Sequence, residues 1–211
     1  MTPKQQFYDL AAKTLIKNLE KRGMEGYFCP DMQSAVQKAL ELMPKGSSIG
    51  WGGSMTLTEA GLIDAVKAGD YKVIDRTQYK TKEEVQQLKR ELITCDYFLM
   101  STNAISMDGQ LVNIDGTANR VAYLCYGPEN VIILASMNKL APDLDSALSR
   151  ARHLAAPPNN VRLKIGNPCT LTGKCSDCLS DTTICCQFVI TRFSKPKGRI
   201  KVILIGEEMG L

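Results

Sequence analysis

The chain has 211 residues, of which 44% are hydrophobic and 23% charged, and its 26 basic and 22 acidic side chains leave a net charge of +4 spread along the whole length. That size carries one full core with a short excursion, so residues 1–211 are expected to form a single domain. Without a basic block or aromatics interleaved with basic residues a nucleic-acid surface is excluded, and with no apolar run long enough to cross a bilayer and no signal-peptide core, a cytoplasmic protein is expected.

In chain order, Thr2-Pro3-Lys4-Gln5 reads as an N-cap, a first-turn proline and a capping-box glutamine. Phe7, Leu10, Ala11, Leu15 and Leu19 then recur at helical spacing, which predicts a helical segment over 2–22. Gly26 to Cys29 is a short strand, Asp31 caps a helix carrying Ala35, Val36, Ala39, Leu40 and Met43, and Pro44-Lys45-Gly46 turns into the next strand. That strand ends in Ile49-Gly50-Trp51-Gly52-Gly53-Ser54, where glycines permit positive φ and close approach to a ligand, and where Ser54, Thr56 and Thr58 can cap a helix that runs to Gly69. The spacing fits neither a dinucleotide G-x-G-x-x-G nor a P-loop. Its readings are a plain β-to-α turn or a seat for a carboxylate or phosphate at a helix start. Glu59, the nearest carboxylate, is either a first-turn helix acid or a catalytic base or nucleophile.

A strand at Tyr71 to Asp75, a helix from Thr81 with Glu84 as its capping-box partner, and a strand at Tyr97 to Ser101 continue the alternation. Ile105 to Ile114 alternates around Asp108-Gly109, a hairpin signal, and Asp115-Gly116 turns into a short helix through Val121, Ala122 and Leu124. Val131 to Ala135 resumes the sheet, and a helix from Asp143 is expected to stop at Pro157-Pro158. Two last strands, Phe188 to Arg192 and Ile200 to Ile205, are expected to pair and close an edge. The sum is an α/β fold with a mainly parallel sheet, helices on both faces, a β-hairpin insertion and a Cys-rich loop over 167–187.

Ligands of such sheets gather beyond the carboxyl ends of the strands. Gly52, Gly53, Ser54, Asn103, Asn138 and Lys139 stand there and are predicted to form one pocket for a small anionic metabolite, although each alone is also an ordinary turn residue. Asn119 and Arg120 follow the hairpin; Arg120 is expected to clasp a substrate carboxylate or to pair with Asp115 or Asp108. His153, the only histidine, reads as an exposed helix residue, which disfavours a Ser-His-Asp hydrolase.

Of eight cysteines, Cys29, Cys95 and Cys125 read as small core residues, and the other five follow C-x5-C-x2-C-x6-C-C. In a reducing compartment this spacing points to a metal site with Cys169, Cys175, Cys178 and Cys185 as ligands and Cys186 as the spare. A [4Fe–4S] cluster is favoured, with zinc and a metal-free loop as the alternatives.

Gly52-Gly53-Ser54, Asn103-Ala104-Ile105, Asp108-Gly109, Asp115 to Val121, Gly127-Pro128, Asn138-Lys139 and Pro168-Cys169 to Cys185, in that order, resemble the LUD (lactate-utilisation) domain family, and within it the stand-alone subgroup with a cysteine-rich C-terminal segment. Ala118 departs from the glycine the family pattern has before Asn-Arg. The resemblance implies a fold similar to ribose-phosphate isomerases, glucosamine-phosphate deaminases and CoA transferases. It also implies a role in oxidising lactate or a related 2-hydroxy acid, with iron–sulfur redox proteins as partners; a second copy of the chain is a further candidate partner. The alternatives are an isomerase or CoA-transferase-like enzyme using Glu59, and a non-catalytic assembly subunit with structural zinc.

Overall fold

The computed structural model describes residues 2–211. Helix α1 (Pro3–Lys21) opens on the Thr2–Gln5 capping box and buries Ala12, Leu15 and Leu19. There follow β1 (Glu25–Cys29), α2 (Met32–Glu41) capped by Asp31, and β2 (Ser48–Trp51). Past the glycine turn the expected single helix is two, α3 (Met55–Glu59) and α4 (Leu62–Ala68), because Gly61 takes a left-handed φ of 76° between them. Next come β3 (Lys72–Ile74), α5 (Lys82–Ile93), β4 (Tyr97–Met100), the hairpin β5 (Ala104–Ser106) and β6 (Leu111–Asp115), and α6 (Asn119–Cys125). The chain continues through β7 (Asn130–Ser136), β8 (Leu140–Ala141), α7 (Leu144–Arg150), α8 (Ala156–Arg162), α9 (Pro168–Thr172), β9 (Gln187–Thr191) and β10 (Ile200–Ile205).

Six strands form one parallel sheet in the order β1-β10-β7-β4-β2-β3. Along β7, Val131, Ile133 and Ala135 face the core under α1 and α5, while Ile132 and Leu134 face the core under α2 and α4. Side chains alternate across a strand, so a strand covered on both faces must be apolar throughout. The protein is thus an α/β fold with helices on both faces of a mostly parallel sheet.

The two last strands do not pair with each other. Strand β10 lies between β1 and β7 in the middle of the large sheet, where its run Ile-Lys-Val-Ile-Leu-Ile suits double burial. Strand β9, with Phe188 and Ile190 exposed, instead pairs antiparallel with β6, giving a second sheet of order β8-β5-β6-β9. Ala147 and Ala151 pack on that sheet beside Ala104, Val112 and Ile114.

Nor do Pro157 and Pro158 end the helix begun at Asp143. Residues Ala151–Ala155 form a π turn, with Ala156 N–H bonded to Ala151 O, and α8 continues with a proline in its first turn. A proline in mid-helix removes an N–H and crowds the carbonyl four residues back; the wider π turn re-spaces those carbonyls just where Pro157 needs it. Cys125 is exposed at the end of α6, whereas Cys29 and Cys95 are buried as expected.

Candidate functional site

The carboxyl ends of β2, β4 and β7 open into a cleft of about 320 Å³ whose walls include Gly53, Ser54, Asn103, Asn119, Arg120 and Lys139. Ser54 caps α3, its Oγ accepting from Leu57 N at 3.3 Å. None of Gly50, Gly52 and Gly53 has positive φ, contrary to expectation; these glycines provide room. A Cβ on Gly52 would lie 3.0 Å from Arg120 Cγ, and one on Gly53 would lie 3.3 Å from the Arg76 guanidinium.

Lys139 sits in the turn after β7 and is only 3% exposed. Its Nζ donates to Thr56 Oγ1 at 2.8 Å and to Ser101 Oγ at 3.1 Å, and among the described residues no carboxylate pairs with it. Burial, then the positive charges of Arg150 and Arg120, bring its pKa down to about 7, with Glu59 opposing. The result is an amine at the cleft wall that titrates near neutrality, a property common at functional sites.

Arg120 is committed to the fold. Its Nη1 donates to Ser101 O at 2.8 Å and Asn113 Oδ1 at 2.6 Å, its Nη2 to Ile114 O at 2.9 Å and Asn103 Oδ1 at 3.2 Å, and its Nε lies 3.4 Å from Asp115 Oδ2. Of its expected carboxylate partners it has Asp115; Asp108 pairs with Arg22 instead. Asn103 Oδ1 also accepts from Ile114 N, so this side chain holds the start of the hairpin while lining the cleft.

Asn138 points elsewhere. It borders a second cavity of about 350 Å³ with Phe7, Tyr8, Met107, Met137 and Glu208. Glu59 is the last residue of α3 rather than a first-turn acid, is exposed, and accepts from Gly210 N at 2.7 Å. Residues not assigned to the pocket from the sequence complete the cleft: Thr56 and Ser101 around Lys139, Arg76 on the 3-10 turn after β3, and Asn159 and Arg162 from α8. Among the described residues the Arg76 side chain has no hydrogen-bond or ion-pair partner. Arg76 stands just past the end of β3, on the rim that the strand ends form; Arg162 reaches the cleft only because the helix survives its prolines.

Below the cleft lies the cysteine loop. Cys169 is buried in α9; Cys175, Cys178 and Cys185 are half-buried; Cys186 is exposed. Burial pushes the Cys185 thiol up to about 11, with further contributions from Cys175, Cys178 and Cys169. Among the described residues no three His, Cys, Asp or Glu side chains are gathered as for a single metal ion.

Among solved structures the chain is similar to a DUF162 family protein from Deinococcus radiodurans, at 11% identity and a TM-score of 0.55 over 94% of this chain and 98% of that one, a likeness of fold alone. A likeness to eIF2B delta from Chaetomium thermophilum is slighter, with 21% identity and a TM-score of 0.34 over 52% of this chain and 48% of that one. No curated protein matches the chain. The model of the LUD domain family matches residues 12–205, nearly the whole length, and the chain therefore belongs to the LUD domain family.

Proposed function

We propose that the protein acts in lactate or related 2-hydroxy-acid metabolism by binding a small carboxylate in the cleft beyond β2, β4 and β7. The observation that carries this reading is Lys139, an amine 3% exposed, held by two hydroxyls, without a carboxylate partner and titrating at about 7. Arg76 and Arg162 add positive charge at the mouth, and Gly53 leaves the space that a side chain would fill. A carboxylate entering here gains charge-assisted hydrogen bonds. In its charged form Lys139 is the cation that the substrate carboxylate would meet. Oxidation of the hydroxyl carbon to a carbonyl would release two protons, one from the hydroxyl and one from the carbon, to solvent, and two electrons that would pass singly to a metal centre or to a separate iron–sulfur protein, the redox partner class in keeping with a lactate-utilisation family.

One observation supports a second reading, an isomerase or CoA-transferase-like reaction with Glu59 as base or nucleophile. Glu59 acts on the charge of Lys139, and its carboxylate, outside the cleft lining, accepts from Gly210 N.

The test is calorimetric titration with L-lactate, D-lactate, pyruvate and acetate. Binding by one of the three-carbon acids, weakened at least tenfold by Gly53→Val and by Lys139→Ala, is expected. Binding that both variants leave unchanged, or none at all, ends the proposal; loss on Glu59→Gln alone would move the reaction to the second reading.

A further inference from the structure

The loop from Asn167 to Cys186 has no apolar core of its own. Leu171 is 83% exposed and Leu179 is 97% exposed, both turned outward. Polar anchors fix its path instead. Asn167, 1% exposed, donates from Nδ2 to Asn160 Oδ1 at 2.6 Å and to Thr182 O at 3.2 Å, while its Oδ1 accepts from Ser180 Oγ at 2.6 Å and Thr182 Oγ1 at 2.9 Å. This one amide closes the beginning of the loop onto its end. In between, Gly173 and Asp177 take left-handed φ values of 68° and 53°, and Asp177 is held by Arg152 at 2.5 Å. At the exit, Cys186 N–H donates to Asp115 O at 3.1 Å and hands the chain to β9.

A segment of this length with its leucines outside needs something to bind its inside together, as small coreless units do through disulfides or metals. What the fold turns inward is sulfur. Cys169 is buried, Cys185 packs against the core of the small sheet, and half-buried Cys178 lies 3.9 Å from Ser180 Oγ, the hydroxyl that closes on Asn167; Cys175 is likewise half-buried. Cys186 is apart from this set, exposed, with its thiol donating to Thr183 O at 3.5 Å.

We infer that this loop is the binding site of a [4Fe–4S] cluster, with Cys169, Cys175, Cys178 and Cys185 each supplying one thiolate to one iron. The spacing of the cysteines along the chain favours a cluster over a single ion, since only one C-x2-C pair is present where a zinc ribbon uses two. Zinc draws four sulfurs to about 2.3 Å from one centre. A cluster takes one thiolate per iron and accepts sulfurs spread around a larger body.

The site adjoins the cleft. Ile184, the residue before Cys185, lines the cleft, and its Cα would lie 3.4 Å from a Cβ placed on Gly116 in the same wall. A cluster on Cys185 is therefore one residue from the cleft that the proposed carboxylate occupies, although its presence does not depend on that reading.

The experiment uses the full chain purified without oxygen, or reconstituted with iron and sulfide, and analysed for metals, acid-labile sulfide, visible absorption and EPR after dithionite. About four iron and four sulfide per chain are expected, with a brown chromophore that bleaches on reduction. Cys186→Ser should keep the full load, and the Cys175→Ser, Cys178→Ser pair should lose at least nine-tenths of the iron with an unchanged far-ultraviolet dichroism spectrum. Should the double variant not fold, X-ray absorption on the wild type replaces it, with four sulfurs around each iron and an iron–iron shell expected. Zinc in place of iron, uptake of neither iron nor sulfide, iron retained in a folded double variant, or an absorption spectrum without an iron–iron shell overturns the inference. None of these outcomes bears on carboxylate binding, so the two proposals fail separately.

Discussion

Lys139 Nζ donates to Thr56 Oγ1 across 2.8 Å, tying the turn after β7 to the first helix beyond the glycine turn, with no carboxylate among the described residues to balance the charge. Such a group makes stability depend on pH. Its folded pKa of about 7 lies below the 10.5 of the free side chain, so between these values the unfolded chain binds more protons and stability rises with pH. Below the folded pKa the cost of burying the ammonium is felt in full. Urea denaturation should therefore show the wild type gaining about 2 kcal/mol from about pH 7 to 8.5, and Lys139→Met flattening that slope. An equal slope in both proteins would mean that the amine is not what titrates.

Proton uptake on binding follows from the same amine. A carboxylate beside Lys139 favours its charged form, so at about pH 8 binding should take up nearly one proton, and affinity should fall about tenfold per pH unit above the folded pKa. Calorimetry in buffers of different ionisation enthalpy measures the proton count. The same titration with Lys139→Gln should show none.

Arg120 should be worth more to the fold than to the ligand. Its side chain is 13% exposed and its donors are spent on Ser101, Asn103, Asn113, Ile114 and Asp115, which together pin the small sheet to the end of β4. Lysine keeps the charge but cannot span those acceptors, so Arg120→Lys should cost about 2–4 kcal/mol in urea unfolding. If both stability and ligand affinity survive this change, Arg120 has neither a structural nor a binding role.

Two small residues beside Arg120 should respond in opposite directions. Gly52→Ala puts a methyl 3.0 Å from Arg120 Cγ and should cost about 1–3 kcal/mol, since the arginine is held at its far end and cannot yield. Ala118, the N-cap of α6, sits at φ 60°, a left-handed conformation that glycine adopts without steric cost. Ala118→Gly should therefore stabilise by about 0.5–1 kcal/mol in the same assay. A destabilising Ala118→Gly would show that its methyl packs usefully.

Local chemistry was legible because it is written within a few residues of where it acts. The capping boxes at Thr2–Gln5 and Thr81–Glu84, the Asp31 cap and the hairpin at Asp108-Gly109 all form from neighbours in sequence. The same holds for the strand ends that bring Gly53, Ser54, Asn103 and Lys139 to one cleft, because βα alternation fixes which ends share a rim.

What the sequence could not settle depends on partners far along the chain. Whether β9 and β10 meet each other or separate sheets turns on which apolar surface lies open beside β6 and β7, and the final answer inserts β10 mid-sheet. The prolines of α8 read locally as a stop; the π turn that lets the helix continue is held in place by Ala151 and Ala155, each buried, with Ala151 packed on the small sheet. That continuation alone brings Asn159 and Arg162 to the cleft. Lys139 and Arg120 were visible as candidates, but their roles were assigned by tertiary packing: two hydroxyls and no carboxylate for the lysine, a complete set of acceptors for the arginine. Sequence determines which charged side chains are available, whereas desolvation and pairing, which set pKa and commitment, arise only when distant segments close around them.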